Sequence, residues 1–218
     1  MNEKEFFEDF YARGNDAWQV FSNTLRMEKF EERTRILKQF MQSHDVHGRG
    51  LDIGCGEGFV EKALDLNVFG AEISLRALKA ARKAGRLNVA VNANAVRLPF
   101  KNDSFDFVLL LETLYYHDAQ MLLAEAARVC KPGGKIIVSI GNKNDVGRKA
   151  RRLLGRADED KIYAPHGATW KEEKYSLAEL KGLLQGHGFR VLDSKGILLN
   201  IPLLRGSAWA RRNVLFPL

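Results

Sequence analysis

The sequence has few cysteines and no long apolar run. Its 218 residues include two cysteines, Cys55 in a glycine-rich stretch and Cys130 before a Lys-Pro-Gly-Gly turn. Two cysteines at such dissimilar sites do not form a disulfide framework. No stretch of about 18 apolar residues occurs, so we expect no membrane span. The charged residues Met1–Glu5 lack the apolar core of a signal peptide. These absences favour a reducing, cytoplasmic setting.

The sequence also lacks the residue patterns of a metal centre. No Cys, His and carboxylate residues have metal-ligand spacing, so we expect no metal. The sequence has no cluster of three cysteines, so it gives no sign of an iron–sulfur site. The charge balance is basic, with 34 Lys and Arg against 27 Asp and Glu, for a net charge of +7. This excess points weakly to an anionic partner.

The most informative segment is a glycine-rich turn within Leu51–Gly58. Gly54, Gly56 and Gly58 let the backbone turn sharply and approach a ligand closely, because no Cβ is in the way. Such a turn between the first strand and the first helix of a βαβ unit is where nucleotides dock. The nearby acid Asp52 would repel a pyrophosphate but suits the ammonium group of S-adenosylmethionine (SAM). The alternative is a glycine-rich turn in which Asp52 caps a helix.

A second acid supports a nucleoside ligand. Glu72 lies eighteen residues after Gly54, near the end of the predicted strand Val68–Ile73. A carboxylate at the tip of a second strand can accept hydrogen bonds from both ribose hydroxyls. The alternative is a solvated glutamate at a strand end.

Predicted strands alternate with predicted helices along the chain, which indicates βαβ units and a mostly parallel sheet. Ser74 is expected to cap a helix whose apolar face is Leu75, Leu78 and Ala81. The predicted helices are Glu28–Met41, Leu75–Ala84, Met121–Cys130 and Tyr175–Gly188. The later predicted strands are Asn88–Asn92, Phe105–Leu111, Lys135–Ile140, a sixth from Gly188, and a seventh at Gly196–Leu199 or Val214–Leu218.

Five motifs in order resemble the class I SAM-dependent methyltransferases of the small-molecule type (methyltransferase domain family 11-like). The resemblance runs from about Leu51 to Ile140, with a weaker echo at Leu177–Val191. It implies an α/β fold: a doubly wound, mostly parallel, seven-stranded Rossmann-like sheet with helices on both faces. The matching segments are Asp52–Gly58, Glu72, Asn92–Phe100, Ser104–Val108 and Arg128–Gly134.

The resemblance implies SAM as cofactor and S-adenosylhomocysteine (SAH) as product. Asn94 stands where the family usually has an Asp that accepts from the adenine amino group, and its amide oxygen can still accept. Ala95 can offer its backbone N–H to the adenine ring. The alternative role of Asn94 is to stabilise a turn. The expected cofactor-binding residues are Asp52, Gly54, Cys55, Gly56, Glu72, Ile73, Asn94, Ala95, Glu112 and Tyr11.

The chemistry is expected just after the fourth strand, in Leu111–Asp118. His117 is the best candidate for a general base, because its ordinary pKa lies near neutrality. It equally fits the wall of the cofactor pocket. Tyr115 and Tyr116 can contact the sulfonium or the substrate through their rings, and at least one of them is expected to be only wall or core. The segment lacks the Asn-Pro-Pro-Tyr and Asp-Pro-Pro-Tyr motifs of nucleobase amine methyltransferases.

The chain divides into an N-terminal helical cap (1–47) and a methyltransferase domain (48–218) with a lid or substrate insertion at about 142–174. His166 and Trp170, with Phe6, Phe7 and Tyr11 of the cap, can close over the site; the cap aromatics equally suit a helix packed on the sheet. The insertion carries a basic run that forms either a solvated helix face or an anion-binding element. This run is Lys143, Arg148, Lys149, Arg151, Arg152 and Arg156.

We therefore expect a SAM-dependent methyltransferase that moves a methyl group to an oxygen or nitrogen of a small-molecule metabolite, anionic metabolites included. One alternative is an RNA or protein methyltransferase, which the basic balance supports, although no appended nucleic-acid module is visible. Another alternative is a non-catalytic SAM-binding protein. The oligomeric state stays open.

Overall fold

A five-stranded parallel sheet forms the centre of the computed structural model, which describes residues 2–12, 24–144, 161–163, 169–171 and 174–196. The strand order is β3-β2-β1-β4-β5, so the chain builds outward from β1 and then returns to add β4 on its other side. Ligands of such sheets bind at this reversal, beyond the carboxyl ends of the strands. The strands are β1 (Gly50–Ile53), β2 (Val68–Glu72), β3 (Val89–Asn92), β4 (Phe105–Leu111) and β5 (Cys130–Ser139).

Helices connect the strands, and a short antiparallel hairpin follows β5. The four predicted helices are confirmed, with ends that differ by a few residues. In the described part of the chain, no helix is both long and apolar enough to cross a membrane. The helices are α1 (Glu3–Ala12), α2 (Thr24–Ser43), α3 (Phe59–Leu64), α4 (Leu75–Lys83), α5 (Ala119–Val129) and α6 (Leu177–Gly186); the hairpin is β6 (Lys161–Tyr163) and β7 (Thr169–Lys171).

Both faces of the sheet are covered, which explains the continuous apolar run of β4. The larger core includes Val108 and Leu110 of β4 together with Leu122 of α5. The opposite face buries Phe107 and Leu109 against residues of α2 and α3. The predicted α/β class with helices on both faces is confirmed.

The described sheet has five strands and not the seven that the resemblance implied. Residues 189–196, where the sixth strand was expected, have no regular secondary structure. Gly188 ends α6 in a left-handed conformation (φ 82°), and Phe189 and Val191 then pack against the larger core. Their side chains are thus placed as in a strand, but their backbone forms no ladder with β5. Gly196 is irregular too, and the other residues proposed for strand seven lie outside the described residues.

The buried face of α4 differs from the prediction. Ser74 caps the helix as expected, because its side chain accepts from the Ala77 N–H at 3.3 Å. However, Ala77 and Ala81 are fully buried, whereas 43% of Leu75 is exposed. Small side chains four residues apart let the helix approach the sheet closely, and this rotates Leu75 to the surface.

The predicted turn at Lys131–Gly134 lies inside β5, which begins at Cys130 and not at Lys135 as expected. Phe105 pairs with Cys130, and Phe107 pairs with Lys135, so residues 131–134 stand out of the ladder as a bulge. Gly133 has a positive φ of 76° there, which suits a residue without Cβ.

Candidate functional site

The glycine turn after β1 has the left-handed backbone that only glycine adopts easily. The φ angles of Gly54, Gly56 and Gly58 are 79°, 53° and 73°. Gly54 also leaves no room for a side chain, because a Cβ there would lie 2.6 Å from Thr113 Oγ1. The Thr113 hydroxyl donates to the Ile53 carbonyl at 2.8 Å and so ties the end of β1 to the segment after β4. Sequence reasoning missed Thr113, because its partner lies sixty residues away.

Glu72 connects the glycine turn to the start of α4. Its Oε2 accepts from the Gly56 N–H at 3.1 Å, and its Oε1 accepts from the Ser74 N–H at 2.8 Å. Burial raises the pKa of this carboxyl, and the two N–H donors oppose the rise. A carboxylate oxygen accepts more than one hydrogen bond, so both oxygens can still receive ribose hydroxyls. The predicted ribose role therefore fits this geometry.

Asp52 and Glu61 form a buried carboxyl pair beside the glycine turn. Asp52 lies on β1 and Glu61 in the first turn of α3, and they are 3% and 2% exposed. Asp52 Oδ1 and Glu61 Oε1 find no hydrogen-bond partner in the described part of the chain. Burial raises the pKa of both carboxyls, and for Asp52 the neighbouring Glu61 adds to the rise. An ammonium group is the ligand that such orphaned acceptors need, so the residues present fit the amino-acid end of SAM.

The expected adenine end is only partly arranged for adenine. Asn94 Oδ1 accepts from the Val96 N–H at 3.0 Å, which is the turn-stabilising role. Asn94 does not line the cavity, whereas the neighbouring Ala95 does. Asn92, which was not predicted, donates to the carbonyls of Glu72 and Ile73 at 3.0 and 2.7 Å. It fixes the strand tips near the ribose end of the site, and contact of Asn94 with adenine stays a prediction.

Tyr115 braces the carboxyl end of β4. Its hydroxyl donates to Glu112 Oε2 at 3.0 Å and accepts from the Gly141 N–H. Burial, and then the Glu112 carboxylate, raise the pKa of this phenol. Glu112 itself has a positive φ of 59°, and Ser139 Oγ donates to its Oε1 at 2.8 Å. Arg33 of α2 lies 3.5 Å from the same carboxylate, so a cation stands at this wall of the cavity.

His117 and Tyr116 face the N-terminal helix α1. The rings of Tyr116 and Phe7 meet edge to face with centroids 5.2 Å apart. His117 Nδ1 lies 3.2 Å from Glu3 Oε1. Burial lowers the pKa of His117 to about 4, while burial, and then Glu72, raise the pKa of Glu3 to about 7. The imidazole is therefore neutral at pH 7 and is a weak base.

Helix α1 forms the outer wall of the site. Glu8 Oε1 accepts from the Leu75 N–H at 2.7 Å, and Glu8 Oε2 lies 3.4 Å from Arg76 Nε. The Tyr11 hydroxyl lies so near the glycine turn that a Cβ on Gly56 would be 2.9 Å from it. Burial, and then Glu72, raise the pKa of Tyr11 well above its ordinary value. Phe7 and Tyr11 line the cavity, whereas Phe6 is buried. Closure of these aromatics over a ligand and the division at residue 47 stay predictions.

The predicted insertion is described in part. Asn142 bridges to Tyr175, and Lys143 pairs with Glu179 of α6. Strand β7, which includes Trp170, lies beside the turn at Leu114–Tyr116. His166 lies outside the described residues. So do the members of the basic run other than Lys143, which are Arg148, Lys149, Arg151, Arg152 and Arg156.

One continuous cavity of about 2130 Å³ brings the predicted site together. This volume exceeds the roughly 300–1,000 Å³ of a single small-molecule pocket, because the cavity also runs along β5 from Ser139 back to Cys130. Glu61 and Arg33, which sequence reasoning missed, also line it. Every predicted site residue except Asn94 lines the cavity: Tyr11, Asp52, Gly54, Cys55, Gly56, Glu72, Ile73, Ala95, Glu112, Tyr115, Tyr116 and His117.

Comparison with known proteins identifies relatives that are similar in sequence. The family profile described as a methyltransferase domain matches residues 51–138. The uncharacterized protein MJ1123 of Methanocaldococcus jannaschii is 33% identical over 187 residues, which are 84% of this chain and 80% of that protein. The O-methyltransferase rstn1 of Aspergillus nomiae is 31% identical over 75% of this chain and 73% of its own length.

A solved structure shows the same fold. It is a SAM-dependent methyltransferase from Thermotoga maritima, described as a possible histamine N-methyltransferase (TM1293). The two structures align with a TM-score of 0.68 and 26% identity, over 84% of this chain and 80% of that chain.

Proposed function

Since the chain belongs to the class I SAM-dependent methyltransferases, we propose that it moves the methyl group to an oxygen or nitrogen of a small-molecule metabolite. SAM supplies an activated methyl group on a sulfonium. The names of two relatives support a small acceptor, since one is an O-methyltransferase and the other a possible histamine N-methyltransferase.

The observation that carries this proposal is the aromatic wall that helix α1 adds to the cavity. Phe7 packs edge to face on Tyr116, and Phe10 and Tyr11 also line the cavity. Such an aromatic wall suits a ligand that is enclosed, and enclosure excludes water from the reacting groups. An extended RNA or protein segment needs an open surface beside the site instead.

The residues after β4 position the acceptor more than they activate it. Holding reactants in line supplies roughly 7–11 kcal/mol, whereas a general base adds about 10²–10⁴-fold. Burial lowers the pKa of His117 to about 4, so its imidazole is a poor acceptor of a full proton from the methyl acceptor. The geometry is therefore best suited to amines, carboxylates and acidic hydroxyls, which need little base. Arg33 offers a charge for an anionic acceptor.

A second candidate is an RNA or protein methyltransferase, which the net charge of +7 favours. Such a protein would bind RNA with an affinity that falls steeply with salt. The third possibility is a SAM-binding protein without turnover. Only a measurement of methyl transfer distinguishes it from the other two.

The test is a labelled-methyl screen with separate metabolite, RNA and protein fractions as acceptors. We expect label in a small acid-soluble product, and we expect Glu72→Ala to lose most of it. Glu32→Ala is the matched control, because Glu32 is a glutamate of α2 that pairs with Arg35 at 2.6 Å. Label confined to RNA or protein would contradict the proposal, and label in no fraction would favour the non-catalytic alternative.

A further inference from the structure

A second acid faces the place where the amino-acid end of the cofactor is expected. β1 directs Asp52 away from the face that buries Leu51 and Ile53 and toward α3, whose first turn carries Glu61. Both carboxyl groups line the cavity, although they are almost completely buried. A glutamate in the first turn of a helix is ordinarily a surface residue that favours the helix dipole. In this protein Glu61 is instead buried and lines the cavity.

The pair has two unused acceptor atoms and no positive partner in the described part of the chain. Asp52 Oδ1 and Glu61 Oε1 are the orphaned atoms. The guanidinium groups of Arg86 and Arg33 are engaged elsewhere: Arg86 pairs with Glu57 at 3.0 Å, and Arg33 lies near Glu112. The other titratable groups that face the pair are the Glu72 carboxyl and the Cys55 thiol, and neither supplies positive charge.

We propose that Glu61 and Asp52 together form the seat for the α-ammonium group of the cofactor, and that the proton shared by the two carboxyls leaves for bulk water when this ammonium arrives. The Asp52 part is expected from the sequence, and Glu61 and the released proton are new. The proposal rests on SAM as the cofactor and is independent of the methyl acceptor.

The physical reason is that two adjacent buried carboxylates do not both ionise without a compensating cation. In the free protein a proton held between them removes the repulsion. An ammonium group brings three N–H donors and a positive charge, so it satisfies both orphaned oxygens and stabilises the doubly ionised pair.

The sign of the pH dependence follows. Ligand binding lowers the pKa of the pair, so cofactor affinity rises with pH between the bound-state and free-state pKa values and is constant above them. The slope is at most about tenfold in affinity per pH unit for one released proton. Thus SAH, which retains the ammonium, binds more weakly as the pH falls.

The test is calorimetric titration near neutral pH in two buffers with different ionisation enthalpies, which counts released protons. We expect about one proton per bound SAH. 5′-Methylthioadenosine has the same nucleoside but no ammonium, so it should release none from this pair. Glu61→Gln should abolish the SAH-linked release, because its amide donates to Asp52 and keeps that carboxyl ionised in the free protein.

Asp65→Asn is the matched control. It removes one negative charge at the other end of α3, where Asp65 is exposed with a φ of 52°, a conformation that Asn tolerates. This variant should release the same proton as the wild type. Equal proton release by wild type and Glu61→Gln, or equal release with the two ligands, would overturn the proposal. A thermal melt establishes that the variants fold; if Glu61→Gln does not, the comparison of the two ligands on the wild type decides. Failure to find an acceptor would leave these binding results unaffected.

Discussion

At the residue scale, Glu72 holds two backbone N–H groups before any ligand arrives. Glu72→Ala should weaken SAH affinity by about one to two orders of magnitude, which corresponds to roughly 1.5–3 kcal/mol for the lost charged acceptor. It should also lower the melting temperature, because the N–H groups of Gly56 and Ser74 lose their partner. Calorimetric titration and thermal melts measure the two effects. Glu72→Gln keeps one acceptor oxygen and should lose less of both. Unchanged affinity in Glu72→Ala would remove this residue from the site.

Burial shifts the pKa values of His117 and Glu3, which lie 3.2 Å apart, in opposite directions, and this gives two opposite pH dependences of stability. Burial holds the pKa of His117 at about 4, below the ordinary 6.5, so its contribution to stability is present above pH 6.5 and is lost as the pH falls through 4. The pKa of Glu3 is raised from 4.5 to about 7, so its contribution is complete below pH 4.5 and is lost as the pH rises through 7.

The single variants should separate these contributions. Glu3→Gln leaves the histidine, and the melting temperature should then rise with pH between about 4 and 6.5. His117→Gln leaves the glutamate, and the melting temperature should instead fall between about 4.5 and 7. In the wild type the two slopes largely cancel near pH 5–6. Melting curves across this range that are parallel for all three proteins would refute the assignment of a neutral pair.

At the element scale, Glu8 joins α1 to the N-terminus of α4. Glu8→Ala should loosen the outer wall of the site, because Leu75 N–H and Arg76 lose their carboxylate. A loss of about 1 kcal/mol in this contact corresponds to about a fivefold fall in cofactor affinity. Faster amide hydrogen exchange across α1 should accompany it. Lys4→Ala, an exposed change on the same helix, should leave both quantities as in the wild type. Faster exchange without a fall in affinity would show that α1 does not cover the cofactor.

Elements were predictable where their signals are local. The run Phe105–Leu111 is β4 itself, and Ser74 and Ser176 cap the helices that follow them. The buried face of α4 was not predictable, since it depends on how closely alanines bring the helix to the sheet. The prediction of a sixth strand was wrong for a related reason. The apolar residues within 189–192 indicate burial, but a strand also needs a neighbouring strand with which to form a ladder.

At the scale of the whole molecule, cofactor binding should stabilise the fold by mass action. SAH at about 100 times its dissociation constant adds about 2.7 kcal/mol, and a domain of this size should then melt about 5–10 °C higher. A dinucleotide such as NAD should give no shift at equal concentration, because Asp52 and Glu72 repel its pyrophosphate. Differential scanning calorimetry makes the comparison. A larger shift with NAD than with SAH would overturn the choice of ligand.

The sequence was sufficient for the α/β class with its parallel sheet and for the glycine turn with its acids, but it was not sufficient for the number of strands. It was insufficient for Thr113, Asn92 and Glu61. The roles of Thr113 and Asn92 depend on partners 60 and 20 residues away in the chain, and Glu61 in isolation resembles a solvated helix residue. Contacts that join separate elements set the details of the site.

Gly54 has two independent reasons to remain glycine. Its backbone is left-handed, and the hydroxyl and methyl groups of Thr113 occupy the space where a side chain would begin. A descendant of this protein that had abandoned its chemistry would therefore still keep Gly54 in order to hold its sheet together. Gly54 is therefore a sign of shared ancestry. The unsatisfied carboxyl groups of Asp52 and Glu61 indicate better whether a descendant still binds the ligand.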